Sequence, residues 1–218
     1  MFYEIFRILG LIAAYPLKCI YFKDKIYYEN ENVTKQVDGG ALIISNHFHV
    51  YDYMLNLFVF FPRKLYVVAA SEYAFKNAFL RFGMKFWGGI EVKRASKNMF
   101  FVSESVRELK NGNLVQIFPE GRITDDGKIK NFYPSYVLIA LRANVPIIPL
   151  VSDGNYGLFK KAHLIMGEPI DINDYISSSD ATKADIKRAN TIIREKVVRL
   201  REELDLRIEA DKRKGKRK

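Results

Sequence analysis

The sequence predicts an α/β domain: a central, mostly parallel or mixed sheet flanked by helices. An N-terminal amphipathic helical segment precedes the sheet and a long C-terminal amphipathic helix follows it. Three observations carry this prediction. Short apolar runs such as ALIIS (41–45), LYVVAA (65–70) and LVQIF (114–118) have the character of buried strands. Segments of helical spacing separate them, and strands alternating with helices form sheets covered by helices. From Ala184 onward Ile186, Ala189, Ile193, Val197, Leu200 and Leu204 recur every three or four residues, which is the stripe of one long helix lying on a core.

The elements follow in order. The first 22 residues, MFYEIFRILGLIAAYPLKCIYF, hold an uncharged stretch from Ile8 to Leu17. A spanning helix needs about 20 apolar residues, so this stretch is too short to cross a bilayer. It reads as an interfacial helix hinged near Pro16, or as an N-terminal helix packed on the core. Lys25 to Glu31 reads as a first strand, followed by a turn at Asp38-Gly39-Gly40 and the strand Ala41 to Ser45. Tyr53 to Phe61 is an apolar helix stopped by Pro62, with Ser45 or Asn46 expected to cap it. Leu65 to Ala70 is a strand, Glu72 to Phe82 a helix and Ile90 to Lys93 a brief strand. Ser96 is the expected cap of a helix that runs to Leu109 and closes at Asn111-Gly112. Leu114 to Phe118 is a strand and Tyr136 to Arg142 a helix. Val145 to Val151 is extended, and its two prolines argue for an edge or terminal position. His163 to Met166 is the last strand. Three regions result: 1–22, the body 23–208, and a basic tail 209–218.

Composition narrows the partners. The chain has 218 residues and a formal charge of +10, so an anionic partner is expected. The end of the chain, DKRKGKRK, carries six basic residues in its last seven, either as a solvated tail or as a tether to lipid headgroups. No zinc-finger or RNP-like motif is present, and no nucleic-acid partner is expected. The single cysteine, Cys19, excludes an internal disulfide and a multi-cysteine metal site.

The chemistry centres on SNHFHVYD (45–52). A histidine beside an aspartate serves as a general base, because the carboxylate fixes the tautomer and stabilises the imidazolium that forms. On a regular helix His49 and Asp52 would be neighbours, whereas His47 and Asp52 would lie about 140° apart. His47 meets Asp52 only at or before the first turn. Local physics does not choose between them. A second reading takes His47, His49 and Asp52 as metal ligands of a hydrolase. A third takes the chain as a membrane-binding or nucleic-acid-binding module without catalysis.

Three more segments bear on the choice: FWGGIEVKR (86–94), IFPEGRIT (117–124) and VPIIPL (145–150). Together with NHFHVYD they resemble the four ordered blocks of the glycerolipid acyltransferase superfamily, and are most similar to its bacterial lysophosphatidic acid acyltransferases. The resemblance covers roughly residues 40 to 170. It implies that His47 is the catalytic base and Asp52 its partner, with His49 among the four variable residues between them. It implies that Arg94, Glu120, Gly121 and Arg122 bind the acceptor phosphate, a role that suits the bidentate guanidinium. Glu120 would orient the acceptor or an arginine. Arg122 and Ile123 stand where the commoner family form has threonine and arginine, which leaves the acceptor open. Phe132-Tyr133-Pro134-Ser135-Tyr136 replaces the frequent Phe-Lys-x-Gly. The resemblance further implies direct acyl transfer from acyl carrier protein or coenzyme A thioesters, with no metal and no cofactor beyond that co-substrate. The N-terminal helix and basic tail would place the protein peripherally on an anionic membrane, at the cytoplasmic face. The chain has no Gly-x-Ser-x-Gly nucleophile elbow, in keeping with transfer that forms no acyl-enzyme.

Overall fold

A computed structural model describes the chain except residues 1, 22, 94–98, 125, 159, 177–180 and 216–218. Helix α1 (Phe2–Tyr21) leads into β1 (Asp24–Tyr28) and β2 (Ala41–Ser45). Then come α2 (Asp52–Val59), β3 (Leu65–Ala70), α3 (Ser71–Ala74), α4 (Ala78–Phe86) and β4 (Gly89–Val92). The rest is α5 (Phe100–Lys110), β5 (Leu114–Ile117), α6 (Ser135–Ala143), β6 (Ile147–Ser152), β7 (Ala162–Met166) and α7 (Lys183–Gly215).

The strands form one seven-stranded sheet in the order β1-β7-β6-β2-β5-β3-β4. Every neighbouring pair is parallel except β6–β7, so the sheet is mixed. Alternation along β2 divides the core. Leu42 and Ile44 pack with α5, α6 and α7 on one face, and Ala41 and Ile43 pack with α1 and α2 on the other. Because β2, β5 and β6 run in one direction, the loops that follow them meet at a single edge. Ligands of open α/β sheets bind outside such carboxyl ends.

Several expectations change. VPIIPLV is not at an edge, since β6 lies between β7 and β2. Its proline is tolerated because the missing donor falls where β7 has ended: the ladder runs from Leu150–Met166 to Ser152–Leu164, and the Pro149 carbonyl accepts the Gly167 amide at 2.9 Å. The Pro149 ring would stand 2.8 Å from any Cβ at position 167. The segment Glu72 to Phe82 is two helices, divided at Phe75–Asn77, because Phe75 is buried and Asn77 caps α4 through the Leu80 amide. Neither Ser45 nor Asn46 caps α2. Its cap position is Tyr51, and Asn46 faces β6 instead. The expected cap Ser96 lies outside the described residues. Helix α7 continues to Gly215, so residues 209–215 of the basic segment belong to it. Asp211 there is bonded by the Lys25 ammonium and the Tyr27 hydroxyl.

Helix α1 runs through Pro16 as one element. Of its charges after Glu4, Arg7 is 2% exposed and Lys18 pairs with Asp24, so both face the domain. Leu11 is buried beside them, while Ile5, Phe6, Leu9, Ile12 and Ile20 face outward. Among the described residues no helix is long and apolar enough to cross a membrane.

Candidate active site

The loop between β2 and α2 is shaped by one carboxylate. Asp52 opens α2, is 1% exposed, and points back into the loop. Its Oδ2 accepts the amides of Phe48 at 2.9 Å and His49 at 2.8 Å, and lies 3.0 Å from Nδ1 of His47. A carboxylate oxygen only accepts, so Nδ1 carries the proton and Nε2 of His47 is the basic nitrogen. The loop leaves helical geometry at His47, which is how residues five apart come into contact. Oδ1 accepts the hydroxyls of Tyr156 and, at 3.3 Å, Ser152. These donors offset the burial of the negative charge. The same carboxylate and its burial push the Tyr156 hydroxyl far above the ordinary phenol range, burial being the larger cause.

His49 takes no such part. Its Nδ1 accepts the Tyr51 amide at 3.3 Å and its ring lies against Tyr51 and Tyr156. Of the two histidines that local physics left open, the ring set on Asp52 is that of His47. Among the described residues no group of three or more His, Cys, Asp or Glu side chains is placed to hold a metal ion.

The segment after β5 clamps this loop. The Phe118 ring stacks on the His47 imidazole, centroids 4.0 Å apart, which leaves the His47 side chain 19% exposed. Glu120 is buried, and its two oxygens accept the amides of His47 at 3.0 Å and Lys130 at 2.7 Å. Burial raises its carboxyl above the ordinary range, against the opposing pull of those amides. The Thr124 amide donates to the His47 carbonyl at 2.8 Å, so both backbone polar groups of His47 are held by the one segment. Gly121 has φ +66°, and a Cβ there would stand 3.0 Å from the Tyr133 ring. The glycine serves a tight turn and a close approach at once.

From the sequence, Glu120 stood with the phosphate-binding residues. In the structure both of its oxygens are engaged by backbone amides, so it positions the His47 loop. Gly121 shapes the turn beside it. Arg122 is exposed one residue further on and forms no ion pair with the described residues. Arg94 lies outside the described residues; exposed Lys93 follows the end of β4 at Val92.

Sequence reasoning missed three residues. The Asn46 side chain exchanges two hydrogen bonds with the Ser152 backbone, donating at 3.0 Å and accepting at 2.9 Å, and so ties the end of β2 to the end of β6. The Ser152 and Tyr156 hydroxyls reach Asp52 from 100 and 104 positions along the chain. Asn46 opens the NHFHVYD block, and the sequence offered it only as a helix cap. Ser152 and Tyr156 lie in a segment that carries no motif, so nothing local marked them.

At the C-terminal edge of this open α/β sheet stands a histidine–carboxylate pair, and among the described residues no serine or cysteine side chain other than Ser152 is bonded to it. The sequence profile of the Acyltransferase family matches residues 25–153, and the chain belongs to that family. The protein of Bacillus subtilis named 1-acyl-sn-glycerol-3-phosphate acyltransferase is 28% identical over 154 residues, 68% of this chain and 74% of that one. The human protein named 1-acyl-sn-glycerol-3-phosphate acyltransferase beta is 28% identical over 153 residues, 67% of this chain and 54% of that one. A Caenorhabditis elegans relative is 33% identical over 119 residues, 53% of this chain and 42% of that one. The chain thus spans about half the length of the worm and human relatives. The crystal structure of the 1-acyl-sn-glycerophosphate acyltransferase PlsC from Thermotoga maritima superposes with a TM-score of 0.57 at 22% identity, over 81% of this chain and 71% of that one, and shares the fold.

Proposed function

We propose that this protein transfers a fatty acyl group from an acyl thioester, of acyl carrier protein or coenzyme A, to the free hydroxyl of a lysophospholipid. Lysophosphatidate is the first acceptor and phosphatidate the product. The observation that carries this reading is the His47–Asp52 contact at 3.0 Å, which leaves Nε2 as the base. Nε2 takes the acceptor's hydroxyl proton as its oxygen attacks the thioester carbonyl. The tetrahedral intermediate collapses, the C–S bond breaks, and the imidazolium returns its proton to the departing thiolate. Asp52 stabilises the imidazolium without taking its proton. Arg94 and Arg122 receive the acceptor's phosphate, as the resemblance of their blocks implies; Glu120 and Gly121 hold the segment that presents Arg122.

The acceptor and product are lipids, and α1 suits work at a bilayer: Arg7 and Lys18 face the domain and its apolar side faces outward. The net charge of +10 favours an anionic surface. We place the protein peripherally, at the cytoplasmic face.

Purified protein, both thioester types and a panel of lysophospholipids, with products read by mass spectrometry, test the reading. Phosphatidate should form only with lysophosphatidate, and His47→Ala should lower kcat by about 10²–10⁴. Arg94→Ala and Arg122→Ala should raise the acceptor KM. Full activity in His47→Ala overturns the mechanism.

A further inference from the structure

We propose that α4 is a second lipid contact, which seats Phe79 and Phe82 in the acyl boundary of an anionic bilayer beside α1. The inference rests on the reading that the protein works at a membrane, and names a further surface that would touch it. Helix α4 buries none of its own residues, and Phe79 and Phe82 are 84% and 67% exposed. Three positions apart, they share one side of the helix. Such a pair of bare aromatic rings is costly to leave in water.

The surface is continuous with α1. Phe82 stacks on Phe86 with centroids 6.5 Å apart, and Phe86 meets Trp87 edge-on at 5.2 Å. The Trp87 ring lies so close under α1 that a Cβ at Gly10 would stand 3.0 Å from it. A row of aromatic rings therefore leads from the tip of α4 to the outward-facing helix. The two elements form one footing.

Charge names the occupant. The segment KNAFLRFGMKFW (76–87) carries Lys76, Arg81 and Lys85, all exposed, and no acid. Arg81 pairs with Glu91 of β4, which leaves the two lysines to meet an external partner. Aromatic rings flanked by bases match acyl chains beneath anionic headgroups. A second copy of the chain fits poorly, because a two-fold contact through α4 would set these bases against themselves. An acidic carrier protein would satisfy the lysines and leave the phenylalanines in water. Helix α3 begins where β3 ends, at the edge from which His47 and Glu120 leave β2 and β5, and α4 runs back from there to the start of β4.

Trp87 is the chain's single tryptophan and reports on this contact directly. The full chain is mixed with phosphatidylcholine vesicles, with and without phosphatidylglycerol, that contain acyl-brominated lipid. Trp87 emission should be quenched, most strongly on anionic vesicles. In Phe79→Ser/Phe82→Ser the partition coefficient should fall by about tenfold or more, and quenching with it. Turnover of a monomeric short-chain lysophosphatidate should stay unchanged, which shows that the fold and site survive. Lys76→Gln/Lys85→Gln should weaken binding to anionic vesicles alone. Wild-type binding and quenching in the double phenylalanine variant overturn the inference and leave the proposed activity intact, as does a wild-type chain that dimerises through α4. Vesicle binding through α4 without acyl transfer supports the inference and overturns the proposed activity.

Discussion

Asp52 is the point on which the site turns, because its two oxygens do different things. Oδ2 orders the loop and the imidazole, and Oδ1 is held by hydroxyls from β6 and the segment after it. Tyr156→Phe removes one of those hydroxyls. A hydrogen bond to a charged group contributes about 1.5–3 kcal/mol, and part of this loss should appear in kcat, lowered about tenfold with acceptor KM unchanged. Steady-state kinetics on lysophosphatidate checks it; a KM effect alone would make Tyr156 a substrate contact. Glu120→Gln is a sharper case. Glutamine accepts through one oxygen where Glu120 accepts two amides, so an amide of His47 or Lys130 is left facing an NH2 group. The cost is about 1–3 kcal/mol, to be read from denaturant midpoints, and kcat should fall to the extent that the lost bond is the one to the His47 amide. These roles were only partly legible. SNHFHVYD and FPEG marked a candidate base and its surroundings, yet the hold of Glu120 on the His47 backbone depends on two segments 73 positions apart meeting at one edge.

Helix α7 closes one face of the sheet and is fastened near its far end. Asp211 accepts from the Lys25 ammonium and the Tyr27 hydroxyl on β1, and these bonds, Lys25 first, hold its carboxyl below the ordinary range. A carboxyl held low in the folded chain lends stability above the ordinary value of about 3.9, and that contribution is lost as pH falls through the depressed value. Amide protection in the last turns of α7, taken relative to the intrinsic exchange rate at each pH, should therefore fall in acid. Asp211→Asn should reproduce the change at neutral pH; protection equal to wild type would show the tie to be idle. The stripe from Ile186 to Leu204 was plain in the sequence because burial repeats with the helical period. The central place of β6 was not. Its prolines argued for an edge, and only the end of β7 at Met166, with Gly167 beneath the Pro149 ring, makes a proline acceptable inside the sheet.

The molecule as a whole has a covered face and an outward apolar flank. Leu9 and Ile12 lie on that flank and touch little of the domain, so Leu9→Asp/Ile12→Asp should change stability by no more than about 0.5 kcal/mol per site. Vesicle binding should nevertheless collapse, and turnover of bilayer-borne acceptor with it. Flotation and thermal melts on the same samples separate the two; loss of folding instead would show α1 to be a core helix. The sequence left open whether residues 1–22 rest on the domain or face a membrane. In the structure α1 does the first through Arg7 and Leu11 and turns Ile5, Phe6, Leu9, Ile12 and Ile20 outward.

Sequence by itself determined the α/β class, the order of the elements, the long C-terminal helix and the four blocks, since these follow from local periodicity and short motifs. Tertiary structure decided which imidazole meets the carboxylate, who else holds that carboxylate, and which side of α1 Arg7 and Lys18 take. Those are questions of direction and distance between segments far apart in the chain. A local pattern carries no record of them, because a hydroxyl on one strand and an amide on another look alike until the sheet sets them side by side.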